Sequence, residues 1–423
     1  MLKLSSFLCS ILLVQMAVAQ SDWQWTELQN MPFQTSNNAV CEAEVGGSEF
    51  VYSFGGIDPT LVYSGIHNRC FRYDVTANSW MEIDTLPDAP KIASGASYVN
   101  GRVYIIGGYH VSSGGGEVSS DKVHVFNPVT NLFEADATPI PIPIDDQVQC
   151  VYKDSLIFIV TGWSNSGNVP NVQIYNTYSD QWTAGTNTTS NAFYTAFGAS
   201  GTIIGDTIYY HGGASGGSFG ARKYMRRGYI NPNDPADITW SLMDDAPGEA
   251  GYRSACSSMG STIFWVGGAP TSYNYDGIAY DGSGGVNPSA RVLHFNNSLQ
   301  IYADETSQPY GVMDLRGIAK LANNRWIICG GMDTNQVVSN RTFLLENNSL
   351  GIFEFTPSIF AVNNFGTYVV IQSPNIGEAR IVDEQGKTLK EFAPASTFEF
   401  HRMRSGMGIY YFIQNNQIIR IIL

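Results

Sequence analysis

The sequence predicts an all-β protein built from six repeated four-stranded units, and three marks in one register predict it. A bulky aromatic is followed 28 to 31 residues later by a glycine that closes an apolar run: Trp25 and Gly56, Trp80 and Gly108, Phe133 and Gly162, Trp182 and Gly213, Trp240 and Gly268, Tyr302 and Gly331. In five of the six that glycine is the second of a Gly-Gly pair, while the third copy reads Thr161-Gly162. In four copies a proline stands seven residues after the aromatic (Pro32, Pro87, Pro247, Pro309). A period of about 50 residues marks supersecondary units that bury their apolar faces only against one another.

The unit beginning at Trp80 shows why strands are expected. Trp80 to Ile83 is a short extended run. Leu86-Pro87-Asp88-Ala89-Pro90 is a loop, because proline has no amide to give a central strand. Ile92 to Val99 is small and apolar, and Asn100-Gly101 then supplies a hairpin turn whose two central residues need positive φ. Arg102 to Ile106 runs to the double glycine, and Val123 to Asn127 begins the third strand. No helical period occurs anywhere. All-β repeats of this size stack as blades around an axis.

The Gly-Gly pairs, the third-strand aromatics Tyr73, Phe126, Tyr175 and Tyr229, and the repeating Trp/Phe/Tyr positions resemble the kelch family of β-propellers over roughly residues 23 to 350. The resemblance implies a six-bladed kelch β-propeller over residues 20–351, with glycines letting strands crowd near the axis and aromatics wedged between blades. Trp25 begins a unit that no strand precedes, and the last unit (Trp326 to Leu345) lacks an outer strand. The N-terminal strand therefore completes the sixth blade, unless Ile352-Phe353-Glu354-Phe355 does so.

The two ends read differently. Residues 1–19 carry Lys3, an apolar run from Phe7 to Val18, and Ala17-Val18-Ala19, the layout of a secretory signal too short to span a bilayer. Cleavage before Gln20 is expected, and with it a secreted or outer-surface location. From residue 352 to 423 the repeat marks stop and short strands alternate. There Ala379-Arg380-Ile381-Val382-Asp383-Glu384-Gln385-Gly386-Lys387 and Gly406-Met407-Gly408-Ile409-Tyr410 resemble the C-terminal sorting domain of the type IX secretion pathway of Bacteroidota. The tail departs from that pattern in lacking an early Pro-Asn-Pro and in ending on Ile-Ile-Leu rather than lysine. The resemblance implies an address read by secretion machinery; a plain β domain fused to a propeller is the other reading.

Composition narrows the partners. A net charge of -14, from 23 basic against 37 acidic residues, argues against nucleic acid and against anionic membranes. No other stretch reaches transmembrane length. The mature cysteines are Cys41, Cys70, Cys150, Cys256 and Cys329, an odd set that leaves one unpaired. Cys41, Cys150 and Cys256 occupy inner-strand points where other copies have Ala96 and Ala319, so they read as small buried hydrophobes. Only Cys41 with Cys70 is a candidate bridge.

Catalytic signatures are sparse. The histidines His67, His110, His124, His211, His294 and His401 do not pair at metal-ligand spacing, and no nucleophile elbow, P-loop or H-E-x-x-H occurs. No cofactor is implied. Aligning the repeats puts Asn37, Lys91, Asp145, Tyr194, Tyr252 with Arg253, and Asp314 with Arg316 at the starts of the innermost strands, around the channel mouth. Such a ring suits a polar ligand, or ties down loops. The long fifth loop, Ala269 to Ala290, carries Tyr273, Tyr275 and Tyr280 with Asp276 and Asp281, a composition fit for a glycan or a protein partner. The fourth holds a basic cluster, Arg222 to Arg227.

The function expected is therefore a secreted or surface-displayed binding module for a glycan or an extracellular protein, without catalysis. The alternative is a resemblance to kelch-type sialic acid epimerases. It would imply a sugar-acid epimerase or mutarotase in which Arg253 or Arg316 holds a carboxylate while Asp314, Asp145 or Glu249 transfers protons.

Overall fold

The computed structural model describes residues 23–347, 361–364, 368–383, 387–401, 409–414 and 417–422. The signal segment, the alternative closing strand at 352–355 and Gly406 to Gly408 lie outside the described residues.

Six antiparallel sheets follow one another, each laid out from an inner to an outer strand. The first is Ala39–Val45, Ser48–Ile57, Ile66–Asp74 and Ser79–Glu82. The second is Ile92–Val99, Arg102–Val111, Val123–Asn127 and the two-residue Leu132–Phe133. The third is Val148–Tyr152, Leu156–Val160, Val172–Asn176 and Gln181–Ala184. The fourth is Phe197–Ile204, Thr207–Ser215, Met225–Asn231 and Asp234–Leu242. The fifth is Ala255–Met259, Thr262–Val266, Val292–Asn296 and Ile301–Glu305. In the sixth, Ala319–Leu321, Arg325–Cys329 and Thr342–Asn347 are completed by Trp23–Glu27. That N-terminal strand pairs from Trp23 opposite Asn347 to Glu27 opposite Phe343, so the first and last repeats close one ring. No α-helix occurs among the described residues. Residues from Ala361 onward form a further five-stranded sheet around Ile371, Ile381, Phe398, Phe400 and Phe412.

The inner strands of all six sheets line a central cavity of about 380 Å³. Small residues let them approach. Cys41 and Cys150 are buried beside it, and both thiols are free, as are Cys70, Cys256 and Cys329. The Cys41–Cys70 bridge is not formed: Cys70 Sγ donates instead to the Asn68 carbonyl.

Both halves of the double glycine are left-handed. Gly212 (φ +74°) and Gly213 (φ +75°) lie against the loop that enters the next sheet, where the Gly213 amide donates to the Gly251 carbonyl at 2.7 Å. A Cβ on Gly212 would stand 2.0 Å from that same carbonyl oxygen. The pair thus docks each sheet onto its successor rather than crowding strands at the axis. Thr161 (φ 48°) takes the position without glycine, its Oγ1 donating to the Val169 carbonyl and accepting the Ala196 amide, both at 2.9 Å.

The repeated aromatics do fill the wedges between sheets. Five pack on a third-strand ring, as Trp182 on Tyr175 at 5.0 Å and Trp80 on Tyr73 at 5.1 Å, whereas Trp240 lies over Gly228 and meets Tyr210 of the second strand at 6.0 Å, leaving the expected Tyr229 exposed. The polar edge then binds the loop arriving from the previous sheet. Trp182 Nε1 donates to the Thr138 carbonyl (2.8 Å), Trp240 Nε1 to the Thr186 carbonyl (2.8 Å) and Tyr302 Oη to the Asp244 carbonyl (2.9 Å). A large apolar ring with one donor at its rim suits such a half-wet seam.

Candidate functional site at the channel mouth

At or just before the start of each inner strand stands a left-handed residue: Asn37 (φ 56°), Ala93 (59°), Asp146 (49°), Gly198 (66°), Arg253 (47°) and Asp314 (63°). Positive φ is uncommon outside glycine and, for residues such as arginine and alanine, persists only where surroundings enforce it. Here a belt of hydrogen bonds does so. The amide of Asn37 donates to the Asp314 carbonyl (3.2 Å), Asp146 to Ala93 (3.1 Å), Gly198 to Asp146 (2.9 Å) and Arg253 to Gly198 (2.8 Å). The Ala93 amide reaches the Asn37 side-chain oxygen (2.9 Å), and Leu315 donates to the Arg253 carbonyl (3.0 Å). The belt joins all six sheets.

Its side chains form a buried ionic cluster. Arg253 donates to Asp146 through Nε (3.1 Å) and Nη2 (2.6 Å), and to Asp314 through Nη1 (2.8 Å). Asp314 also accepts from Ser36 Oγ (2.6 Å) and Asn37 Nδ2 (3.1 Å). Arg316 donates to the Gln147 carbonyl (2.9 Å) and lies 3.5 Å from Asp146. Burial opposes charge on Arg253, but Asp146, Tyr252 and Asp314 hold its guanidinium protonated well above the ordinary range. Burial raises the Asp314 carboxyl against the pull of Arg253.

The fifth loop lies over this cluster. Tyr252 and Ala269 exchange backbone bonds (3.0 and 2.9 Å), and the loop turns back on itself through Tyr273 opposite Ala279 and Ile278 opposite Gly285. Tyr273 is fully buried, edge-on to Tyr252 at 5.0 Å, and its carbonyl accepts the Tyr252 hydroxyl at 3.2 Å. The Arg253 guanidinium sits 5.2 Å from the Tyr252 ring and 5.5 Å from the Tyr273 ring. Tyr275 packs, half-buried, against the apolar cluster of Ile57, Ile66, Ile92, Ala93 and Tyr109 from the first two sheets. The loop therefore bridges the mouth from the fifth sheet.

Beside the loop a cavity of about 80 Å³ remains, with Tyr280, Arg253, Asp145, Asp146 and Glu117 in its lining. Asp145 and Trp163 exchange backbone bonds of 2.9 Å in both directions. Asp145 Oδ2 accepts from Ser119 Oγ at 2.6 Å. Burial, and next Asp146, push its carboxyl well above the carboxylate range.

The mouth thus brings together Asn37, Asp145, Tyr252, Arg253, Tyr273, Tyr280, Asp314 and Arg316. Two expected members are elsewhere. Lys91 is buried under the loop entering the second sheet, 3.3 Å from Asp88 and 3.0 Å from His124 Nε2, and Ala93 holds the ring position. Tyr194 belongs to a turn whose carbonyl accepts the Tyr210 hydroxyl (2.9 Å), and Gly198 replaces it in the ring. Tyr252 and Tyr273 are no exposed platform, because both are buried as the underside of a lid. The fourth-loop cluster is split, with Lys223 and Arg227 exposed and Arg226 turned inward. Arg226 is buried, donates to the Phe193 and Gly212 carbonyls (both 2.7 Å) and stacks over Tyr210 at 5.0 Å. Asp146, Glu117, Trp163 and Phe219 were not singled out by sequence; the Asp145-Asp146 doublet is the signal that marks the first. Among the described residues no three histidine, cysteine or carboxylate side chains are grouped to hold a metal ion.

Comparison with known proteins agrees with this architecture. A model of the Kelch motif matches residues 93–138, the span of the second sheet. Beta-scruin of Limulus polyphemus is 26% identical over 165 residues, which is 37% of this chain and 17% of beta-scruin. The chain thus matches only about a sixth of that relative's length. The solved structure of YjhT superimposes with a TM-score of 0.60 at 13% identity, over 82% of this chain and 99% of YjhT, a likeness of fold. Sheets, motif and likeness together are consistent with a kelch-type β-propeller fold.

Proposed function

We propose that this chain is a secreted or surface-displayed binding module, a six-bladed kelch propeller that grips a protein partner with its loop face and performs no catalysis. The carrying observation is the distribution of exposed apolar side chains. The loops that follow the double glycines all leave the sheets at one end, and there Val62, Tyr63, Val118, Ile278 and Val337 are exposed. Apolar residues rimming a concave site mark interaction surfaces. Kelch repeats in beta-scruin's likeness support a binding role, and the sequence resemblance of the tail supports delivery to the cell surface.

The epimerase alternative needs an arginine free to hold a substrate carboxylate. Arg253 already faces two carboxylates beneath the lid, and Arg316 is buried beside Asp146 and donates to the Gln147 carbonyl, which disfavours it. The test is peptide-display selection against the immobilised full chain, with a glycan array in parallel. Selected peptides should lose binding to Val62→Glu and Val337→Glu. A blank selection beside a selective glycan hit would replace the protein reading with a lectin one.

A further inference from the structure

The small mouth cavity carries more acid than the belt can neutralise. Arg253 and Arg316 are two cations, and Asp146 and Asp314 are the two carboxylates that meet them. Asp145 and Glu117 remain, both lining the cavity. Asp145 is 4% exposed; Ser119 satisfies Oδ2, while Oδ1 has no hydrogen-bond partner among the described residues. Glu117 stands at the exposed rim, where partial burial raises its carboxyl against the pull of Arg253 and a hydrogen bond from Asn274. An uncompensated buried carboxylate is costly, so such a site holds a proton or a cation.

The walls favour a cation. Trp163, Phe197, Phe219 and Tyr280 interlock edge to face, with Trp163 to Phe219 at 5.4 Å and Phe219 to Tyr280 at 5.3 Å, and Tyr109 lies across the same cavity. Aromatic faces attract ammonium groups, and the attraction grows when the pair is shielded from water. At about 80 Å³ the space is roughly half the ~150 Å³ cavity that holds benzene. It fits the end of an alkyl chain rather than a sugar ring.

We infer that the mouth pocket receives an alkylammonium group, as a lysine side chain presents it, with the aromatic rings around the methylenes and Asp145 and Glu117 accepting from the nitrogen. This rests on the protein-binding reading for the source of the lysine, but its chemistry can be tested alone. The full chain is titrated calorimetrically with butylammonium chloride and with 1-butanol. Butylammonium should bind in the millimolar range and butanol at least tenfold more weakly. Asp145→Asn should weaken butylammonium at least tenfold and the rim variant Glu117→Gln at least threefold, each melting like the parent. Equal binding of the two probes, binding of neither, or indifference to both substitutions in a folded protein overturns the inference. Selected peptides supply the second arm. Peptides that bind equally after every lysine is acetylated would overturn the pocket's role while leaving the binding module standing. Asp145-dependent butylammonium binding with no peptide selected would keep the ammonium site and remove the protein partner.

Discussion

Arg253 and Asp146 meet through two parallel hydrogen bonds across the channel mouth, joining the start of the fifth inner strand to the start of the third. Two bonds in one plane fix orientation as well as distance, which lysine could not do. With Asp314 on the remaining guanidinium nitrogen, the third, fifth and sixth sheets share one buried ionic knot. The same contact that ties the third sheet to the fifth occupies the guanidinium edge that a substrate carboxylate would need.

Arg253→Met should therefore be a stability variant. It leaves Asp314 buried without its cation and Asp146 with Arg316 alone at 3.5 Å, a loss of about 3–5 kcal/mol for a broken buried pair. A fall in melting temperature of about 10 °C is expected. Adding Asp146→Asn and Asp314→Asn should restore at least half of it. An unchanged melting temperature for the single variant would show that the knot contributes nothing.

Gly212→Ala and Gly205→Ala separate two roles of left-handed glycine. Both positions have positive φ (+74° and +58°), so both substitutions carry backbone strain of about 1 kcal/mol. Only Gly212 has a carbonyl 2.0 Å from the new Cβ, whereas nothing lies within 4 Å at Gly205. Denaturant melts should show Gly205→Ala close to 1 kcal/mol and Gly212→Ala at least twice that. Equal losses would mean that docking onto the next sheet is not what the glycine serves.

What the sequence makes legible follows from local chemistry. Asn100-Gly101 names its own turn and adopts it, with φ of 50° and 75°, because few other pairs accept two positive values in succession. Trp182 and Trp240 announce wedges because a wedge needs a large ring at one fixed place. The mouth is harder to read. The ring position tolerates Asn, Ala, Asp, Gly and Arg, since the belt is held mainly by backbone groups, so no residue type marks it. That is why the register slips from Ala93 to Lys91 and from Gly198 to Tyr194. The fate of Tyr273 is illegible for another reason: a tyrosine-rich loop has the same composition whether it faces a ligand or folds over a cluster of charges.

Lys91 should give the fold a pH dependence of its own. Burial lowers its pKa to about 8, opposed by Asp88. In the unfolded chain lysine titrates near 10.4, so between about 8 and 10.4 the unfolded state binds the proton that the folded state has released. Stability from this group therefore rises with pH across that window, by up to about 3 kcal/mol. Lys91→Met removes the charge while keeping the stem, and should flatten this rise relative to the parent. Parallel pH profiles for the two proteins would place the titrating group elsewhere.

Tyr273→Ala tests whether the fifth loop is a lid. The ring is buried between Tyr252 and the belt, and its removal leaves a void where aromatic packing stood. Losses for buried aromatic-to-alanine changes run to about 3–5 kcal/mol when the void lies in a rigid core. The loop, however, is tied to its neighbours through a few loop contacts (Ser272 donating to the Phe219 carbonyl, Gln336 to the Val286 carbonyl and the Asn335 amide to Asn287), so it can open while the six sheets persist. Global melting should then fall by only a few degrees, while amide exchange across residues 269–290 accelerates at least tenfold. Exchange in the Arg253 belt should accelerate with it, because the lid is what keeps water from that cluster. A large global loss with no selective loosening would make the loop part of the core, and the mouth a sealed end rather than a site that can be opened.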